Sequence, residues 1–248
     1  MSVGGGVAPR RADIMRALAA HRDVLARDYF VRSLSLFGSV GRDDAGATSD
    51  VDVLVEFEPG ASLFTMGGLQ QHLEALLGRR VDLVSRGAIK RQIRDRVLGE
   101  AVPIFETDPD GHPHPVVEAS AVAPSSEHPG PGRAVAERNW KMWIEDILQA
   151  IEDIAQFTEG MTYDVFVADR RTVLAVNHNF AIIGEAERHV PPDVEVRYAA
   201  IPWAQMRAMR NILIHNYPDV DLVVVWKTSR EHLPPLVPLL REILEREP

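Results

Sequence analysis

The spacing of apolar residues divides the chain into a first part of mixed character and a second part that is helical. In the first part, apolar residues recurring every three to four positions predict helices over 12–26, 63–77 and 89–98. Short apolar or alternating runs predict strands over 31–37, 51–57, 81–84 and 101–105. Gly78 stands where a left-handed residue commonly ends a helix. These elements predict a small domain with a mixed sheet.

From residue 133 onward the apolar pattern is almost entirely helical. Helices are predicted over 134–159, 163–188, 202–215, 222–233 and 235–245. Pro202 suits the first position of its helix, and Pro218 ends that helix. The predicted fold class is therefore α+β, with a small mixed-sheet domain followed by an all-α helical bundle.

The segment 107–132 separates the two parts and is rich in Pro, Gly, Ser and Ala. Such a composition buries too little apolar surface to fold by itself. We predict a disordered N-terminal tail at 1–11, a first domain at 12–106, a flexible linker at 107–132 and a helical domain at 133–248. The linker is long enough to allow an encounter of the two domains within one chain or between chains.

Composition and charge limit the function classes. The 248 residues contain no cysteine, which excludes disulfides and thiolate metal sites. No apolar run approaches the ~20 residues of a membrane span, and the N-terminus lacks the apolar core of a secretory signal. We therefore expect a cytoplasmic protein with no membrane contact. The net charge of −9 argues against a broad basic surface, so any contact with RNA is expected to be local or made by an oligomer.

The first chemical motif reads Gly38-Ser39, ten residues, then Asp50-Val51-Asp52. Asp50 and Asp52 are two positions apart on a predicted strand, so both carboxylates leave the same face. Such a pair favours a hard divalent cation such as Mg²⁺. Gly38 and Ser39 lie at a strand-to-helix turn, where backbone N–H groups can hold a triphosphate. Asp82 lies on a neighbouring predicted strand and is a candidate third carboxylate of a two-metal site.

Residues 31–106, with the strings LFGSVGRDDAGATSDVDVLVEF and LLGRRVDLVS, resemble the MntA-like minimal nucleotidyltransferases of the DNA polymerase β superfamily. The resemblance implies that Gly38 and Ser39 bind the phosphates of ATP and that Asp50 and Asp52 bind Mg²⁺. It also implies that Asp82 binds metal or activates the acceptor hydroxyl. Arg42 is a candidate phosphate contact, with a solvated turn arginine as the alternative.

The second motif reads Arg210, four residues, then His215-Asn216-Tyr217. RNA is cleaved without metal when its 2′-hydroxyl attacks the adjacent phosphate, which requires a proton carrier such as His215 and a permanent cation such as Arg210. On one ideal helix these two residues lie about 140° apart, so two copies facing each other are predicted to form the site. Asn211, one turn before His215, is a candidate for orienting its ring. A single histidine near a helix end is more often a capping or packing residue.

The segment 138–245 resembles the HepT-like branch of the HEPN proteins, in strings such as FAIIGEAERHV and IPWAQMRAMRNILIHNYPDVD. The resemblance implies that Arg210 and His215 form a ribonuclease site, and that a nucleotidyltransferase antitoxin adds AMP to Tyr217. Glu185 falls in the Gly-Glu-Ala stretch, and an ordinary helix-surface acid would explain it equally well. Two features depart from the family: both modules share one chain, and Asn216 replaces a frequent Gly.

The sequence thus predicts a fused toxin–antitoxin protein, in which Mg²⁺-dependent transfer of AMP from ATP to Tyr217 neutralises a metal-independent ribonuclease. A homodimer or higher homo-oligomer is expected to form through the helical domain. Two alternatives remain open. One is a nucleotidyltransferase acting on a small molecule such as an aminoglycoside, with a non-catalytic helical domain. The other is a binding module whose helical part only docks a partner.

Overall fold

The computed structural model describes residues 10–46, 49–89, 91–107, 140–215 and 220–247, with only the backbone described at 91, 211, 214 and 215. The elements of the first domain are α1 (Arg11–Ala20), α2 (Arg22–Tyr29), β1 (Val31–Leu36), α3 (Gly38–Gly41), β2 (Val51–Phe57), α4 (Leu63–Leu77), β3 (Val81–Ser85), α5 (Arg91–Glu100) and β4 (Val102–Glu106). The elements of the second are α6 (Lys141–Phe157), α7 (Tyr163–Ala168), α8 (Arg170–Glu187), α9 (Pro192–Arg197), α10 (Trp203–His215), α11 (Leu222–Lys227) and α12 (Leu236–Arg246).

The four strands form one mixed sheet in the order β3-β2-β1-β4. β1 is antiparallel to β2 and to β4, whereas β2 and β3 are parallel and are connected through α4. The alternating pattern of β2 places Val51, Val53 and Val55 in the main core together with apolar residues of α4. Leu54, on the opposite face, belongs to a small second cluster with Val97 of α5. The predicted α+β class with a mixed sheet is confirmed.

Two helices that the periodicity predicts as continuous are each divided in the structure. The predicted helix 12–26 breaks at His21, whose backbone leaves helical geometry with φ −100° and ψ 7°. The predicted helix 163–188 breaks at Asp169, whose carboxylate accepts hydrogen bonds from the Arg171 N–H and the Thr172 hydroxyl. The apolar spacing continues across both breaks because both flanking helices bury residues in the same core, so periodicity alone does not reveal them.

Smaller differences concern the ends of elements. α9 lies in a stretch for which no element is predicted, and α10 begins at Trp203, one residue after Pro202. The segment predicted as helix over 222–233 continues beyond α11 as a wider π-helical turn at Thr228–His232. The predicted tail and linker lie almost wholly outside the described residues, as does the start of the helix predicted from residue 134.

α10 packs between α8 of its own domain and α4 of the sheet domain. A Cβ placed on Gly67 of α4 would lie 2.8 Å from the Cβ of Ala208, so the two helices meet at backbone distance. At the start of α4, the N–H of Leu63 donates to the buried hydroxyl of Thr228 at 2.8 Å. Further along, the side-chain amide of Gln71 donates to the carbonyl of Ala204 at 3.2 Å. Residues of both domains consequently form one continuous hydrophobic core.

Within the described ranges, no helix combines the length and the apolar character needed to cross a bilayer.

The Gly67 contact predicts a specific loss of stability on substitution. Gly67→Ala and Gly99→Ala both gain up to about 1 kcal/mol of helix propensity. Only the first adds a methyl group to a filled interface, where overpacking costs about 1–3 kcal/mol. The Cβ of the second meets nothing within 4 Å. In urea unfolding, the free energy of unfolding of Gly67→Ala should be lower than that of Gly99→Ala by about this overpacking cost. Equal values would show that α4 and α10 can accommodate the methyl group and do not pack at backbone distance.

Candidate active sites

The turn after β1 is built against the start of β2. The N–H of Phe37 donates to the carbonyl of Asp52 at 3.1 Å, and the N–H of Ser39 donates to the Asp52 carboxylate. Gly38 has φ +63°, and a Cβ on it would lie 2.0 Å from Asp52 Oδ2. Any other residue at position 38 would therefore collide with the carboxylate in addition to being strained. The structure brings together Gly38, Ser39 and Asp52.

Asp52 is affected by two other acidic residues, Asp50 and Asp82. Asp52 of β2 lies directly opposite Asp82 of β3 in the parallel register, and Asp50 is exposed just before β2 begins. Burial, together with the negative charges of Asp82 and Asp50, raises the pKa of Asp52 to about 6, although the N–H of Ser39 and the charge of Arg42 act in the opposite direction. Asp50 thus precedes the strand on which the sequence placed it, but its charge still acts on Asp52.

The residues of this site fit a divalent cation that binds together with a nucleotide. Among the described side chains, no group of three His, Asp or Glu residues forms a complete metal cage. Mg²⁺ is usually held by only one or two carboxylates together with substrate phosphates and water. A half-buried carboxylate whose pKa is raised by two neighbouring acids is stabilised by such a positive charge.

Arg42 does not extend freely toward this site. Its guanidinium donates to Asp44 at 3.1 Å and to Glu100 at 2.9 Å, and these hydrogen bonds raise its pKa. A nucleotide phosphate would have to compete with both carboxylates for this side chain. The role of Arg42 as a phosphate contact stays a prediction.

Arg210 of the second motif faces α8. Its Nε lies 2.7 Å from Oε2 of Glu185. The close approach depends on Gly184, where a Cβ would lie 2.7 Å from the Cβ of Arg210 and 2.8 Å from the carbonyl of Met206. The acid that the sequence singled out only as a member of the Gly-Glu-Ala stretch is therefore the ionic partner of the motif arginine.

A second ion pair connects the same two helices one turn earlier on α10. Arg207 donates through Nε to the fully buried Glu187 at 2.8 Å and through Nη2 to Glu195 at 2.9 Å. Burial raises the pKa of Glu187 to about 7, although the hydrogen bonds and charge of Arg207 act in the opposite direction. The sequence analysis missed this pair, for which the available signal was that Glu187 lies at helical spacing from the apolar residues Phe180 and Ile183.

The structure describes less of the other residues of the second motif. The backbone of Asn211 and His215 belongs to α10, and Tyr217 lies outside the described residues. Shortly after the motif, Asp221 caps α11 by accepting from the N–H of Val223 at 3.0 Å. The same carboxylate accepts the hydroxyl of Ser85, at the end of β3, at 2.6 Å. This contact joins the chain that follows the second motif to the sheet domain, and no sequence pattern indicated it.

The raised pKa of Asp52 predicts a pH-dependent cost to stability in the absence of metal. Because its folded-state pKa lies above the ordinary aspartate value of 3.8, which applies in the unfolded chain, the free energy of unfolding should fall as the pH rises from about 4 to about 6. In EDTA, Asp52→Asn should be more stable than the parent at pH 8 by about 1 kcal/mol, allowing for solvent screening, and show no gain at pH 4. Thermal unfolding measures this difference. The exposed Asp95→Asn is the control, and an equal gain there would contradict the interpretation.

Comparisons with known proteins assign each domain. Residues 18–104 match the family described as "Nucleotidyltransferase domain", and residues 147–243 match "Ribonuclease HepT-like". The "Protein adenylyltransferase MntA" of Thermococcus cleftensis is 44% identical over 90 residues, which cover 36% of this chain and 91% of that protein. The "Probable ribonuclease HepT" of the same organism is 42% identical over 100 residues, which cover 40% of this chain and 91% of that protein. The chain therefore belongs to both families and joins a nucleotidyltransferase domain to a HepT-like ribonuclease domain.

Proposed function

We propose that this protein is a fused toxin–antitoxin, in which the first domain transfers AMP from ATP to Tyr217 and thereby silences the ribonuclease of the second. The observation that carries the proposal is the turn of Gly38 and Ser39 held against Asp52, opposite Asp82, in the same chain as a helix that presents Arg210. The name of the related MntA, a protein adenylyltransferase, supports the same chemistry.

In the proposed transfer, the residues of the first domain have different roles. Gly38 and Ser39 provide the backbone turn for the phosphates, and Asp50 and Asp52 would hold Mg²⁺. When bound, such a cation neutralises negative charge on the phosphates. Tyrosine has a pKa near ~10 and is a weak nucleophile at neutral pH, so Asp82 accepts the phenol proton. The phenol oxygen of Tyr217 bonds to the α-phosphorus of ATP, the bond to the β-phosphate oxygen breaks, and pyrophosphate leaves.

The ribonuclease site uses no metal in this proposal. His215 carries the proton of the attacking 2′-hydroxyl, and Arg210 stabilises the negative charge that develops on the phosphate. Glu185 lies 2.7 Å from the Nε of this guanidinium and orients it, and the guanidinium carries four further N–H donors besides this one. Because Arg210 and His215 diverge on one helix, a homodimer formed through this domain completes the site. AMP on Tyr217 adds bulk and negative charge two residues from His215 and repels RNA.

Intact-mass measurement with ATP and Mg²⁺ tests the transfer. The parent should gain AMP, while Tyr217→Phe and the double variant Asp50→Asn/Asp52→Asn should gain none. RNA cleavage by the double variant should exceed that of the modified parent, and His215→Ala introduced into the double variant should abolish it. Equal AMP labelling of Tyr217→Phe would show that the acceptor is another residue.

The close contact at Gly38 predicts that this position is essential for the transfer. Gly38→Ala and Gly78→Ala impose the same backbone strain, because the two glycines have φ +63° and +60°. Only the first places a methyl group on the Asp52 carboxylate, whereas a Cβ on Gly78 meets nothing within 4 Å. AMP incorporation should fall at least about 100-fold in Gly38→Ala, as for loss of a positioning group, and little in Gly78→Ala. A similar loss in both would assign the effect to backbone strain alone.

A further inference from the structure

The docked domains place the two motifs toward opposite ends of the sheet. The side chain of Gln70, at the middle of α4, donates to the carbonyl of Val81, and the N–H of Val81 donates to Glu74 in the second half of the helix. The second half of α4 therefore lies beside the start of β3, where Asp82 and its partner Asp52 are located. The first half of α4 lies toward the other end of the sheet, where β2 and β3 finish.

α10 runs antiparallel to α4 along this axis. Ala204, near its start, accepts from Gln71, and Ala208 contacts Gly67 one turn nearer the start of α4. His215, at the end of α10, is seven residues beyond Ala208, which corresponds to about 10 Å along the helix. The ribonuclease motif therefore lies at the end of the sheet away from the carboxylates. The hydrogen bond from Ser85 to Asp221 places the chain after the motif at this same end.

The two motifs also lie on opposite faces of the sheet. Val81, Leu83 and Ser85 of β3 are buried on the face that α4 covers, and α10 packs on the outer side of α4. Asp82 alternates with these residues and is exposed on the other face. Asp52, its neighbour in register on β2, shares that face.

The distance that the Tyr217 phenol can span from His215 can be compared with the length of the sheet. Along β2, the five-residue step from Asp52 to Phe57 measures about 17 Å. Tyr217 follows His215 by two residues, which span at most about 7 Å of extended chain, and a tyrosine side chain adds no more than that again. The phenol thus extends at most about 14 Å from His215, and it would still have to pass from one face of the sheet to the other.

We infer that AMP is transferred between two copies of this chain, so that the nucleotidyltransferase domain of one copy modifies Tyr217 of another. The inference rests on the proposed function and identifies its protein substrate as a second copy. The phenol oxygen of one copy bonds to the α-phosphorus of ATP held by the other, its proton passes to that copy's Asp82, and pyrophosphate leaves. The domain contact within each chain holds the ribonuclease helix and takes no part in the transfer.

The absence of cysteine allows the docked arrangement to be locked. A Cβ on Gly68 would lie 3.6 Å from the Cγ of Gln205, so Gly68→Cys/Gln205→Cys brings two thiols into disulfide range. With ATP and Mg²⁺, the oxidised and the reduced form of this variant should gain AMP at rates equal within about twofold. Transfer within one chain requires the domains to separate, so labelling of the reduced form alone would overturn the inference.

A complementation experiment gives an independent answer. Asp50→Asn/Asp52→Asn and Tyr217→Phe, carrying different tags, are co-expressed so that mixed oligomers form, and each chain is weighed after incubation with ATP and Mg²⁺. AMP should appear on the chain with the aspartate substitutions. If the parent is labelled at Tyr217 and the mixed pair is not, transfer occurs within a chain and the inference is wrong. If the parent itself gains no AMP, the proposed function fails instead.

Discussion

The packing of α4 against α10 is the contact on which the arrangement of the whole molecule depends. It brings two backbones together at Gly67 and Ala208, a distance that leaves no room for a side chain on α4. A second contact of the same helical domain, from the turn after α11, supports it: the buried hydroxyl of Thr228 accepts the N–H of Leu63 at the start of α4, where a helix otherwise has free donors. Because one hydrophobic core crosses this contact, the position of the ribonuclease helix is determined partly by the nucleotidyltransferase domain.

On its other side, α10 is held against α8 by contacts that are equally specific. Two ion pairs, from Arg207 to Glu187 and from Arg210 to Glu185, connect it to α8, and a close approach at Gly184 brings the helices together. The buried Glu187 would be strongly unfavourable without its arginine, so the pair specifies how α10 is aligned along α8. The motif arginine is thus one member of a set of contacts that determine the position of the helix, and its orientation follows from them.

Much of the sheet domain was predictable from local patterns, for physical reasons that apply to those residues. The alternation of Val51, Val53 and Val55 with Asp52 specifies both a strand and its acidic face, and Gly78 indicates where α4 ends, with φ +60°. The breaks at His21 and Asp169 were not predictable, because the apolar spacing continues across each of them. A local hydrogen bond or a change of one backbone angle divides the helix there.

The contacts between the domains lay beyond sequence reasoning because their partners are far apart in the chain. The bond from Ser85 to Asp221 joins residues 136 positions apart, and that from Leu63 to Thr228 joins residues 165 apart. One signal was available: Gly67 lies inside a predicted helix, where glycine costs about 1 kcal/mol relative to alanine and so indicates a close approach. The sequence does not identify which helix makes that approach.

The shared core has a further consequence for how the two activities are balanced in a cell. When an inhibitor and its target are separate molecules, their ratio changes with the synthesis and breakdown of each. In the proposed function both are parts of one polypeptide, and buried contacts among the described residues, which lie outside the segment 108–139 that joins the domains, hold them together. Hydrolysis of a peptide bond in that segment would leave two fragments that still adhere, at a stoichiometry of one to one. If the proposed function is correct, the ribonuclease activity is then controlled by the chemical state of the protein rather than by its abundance.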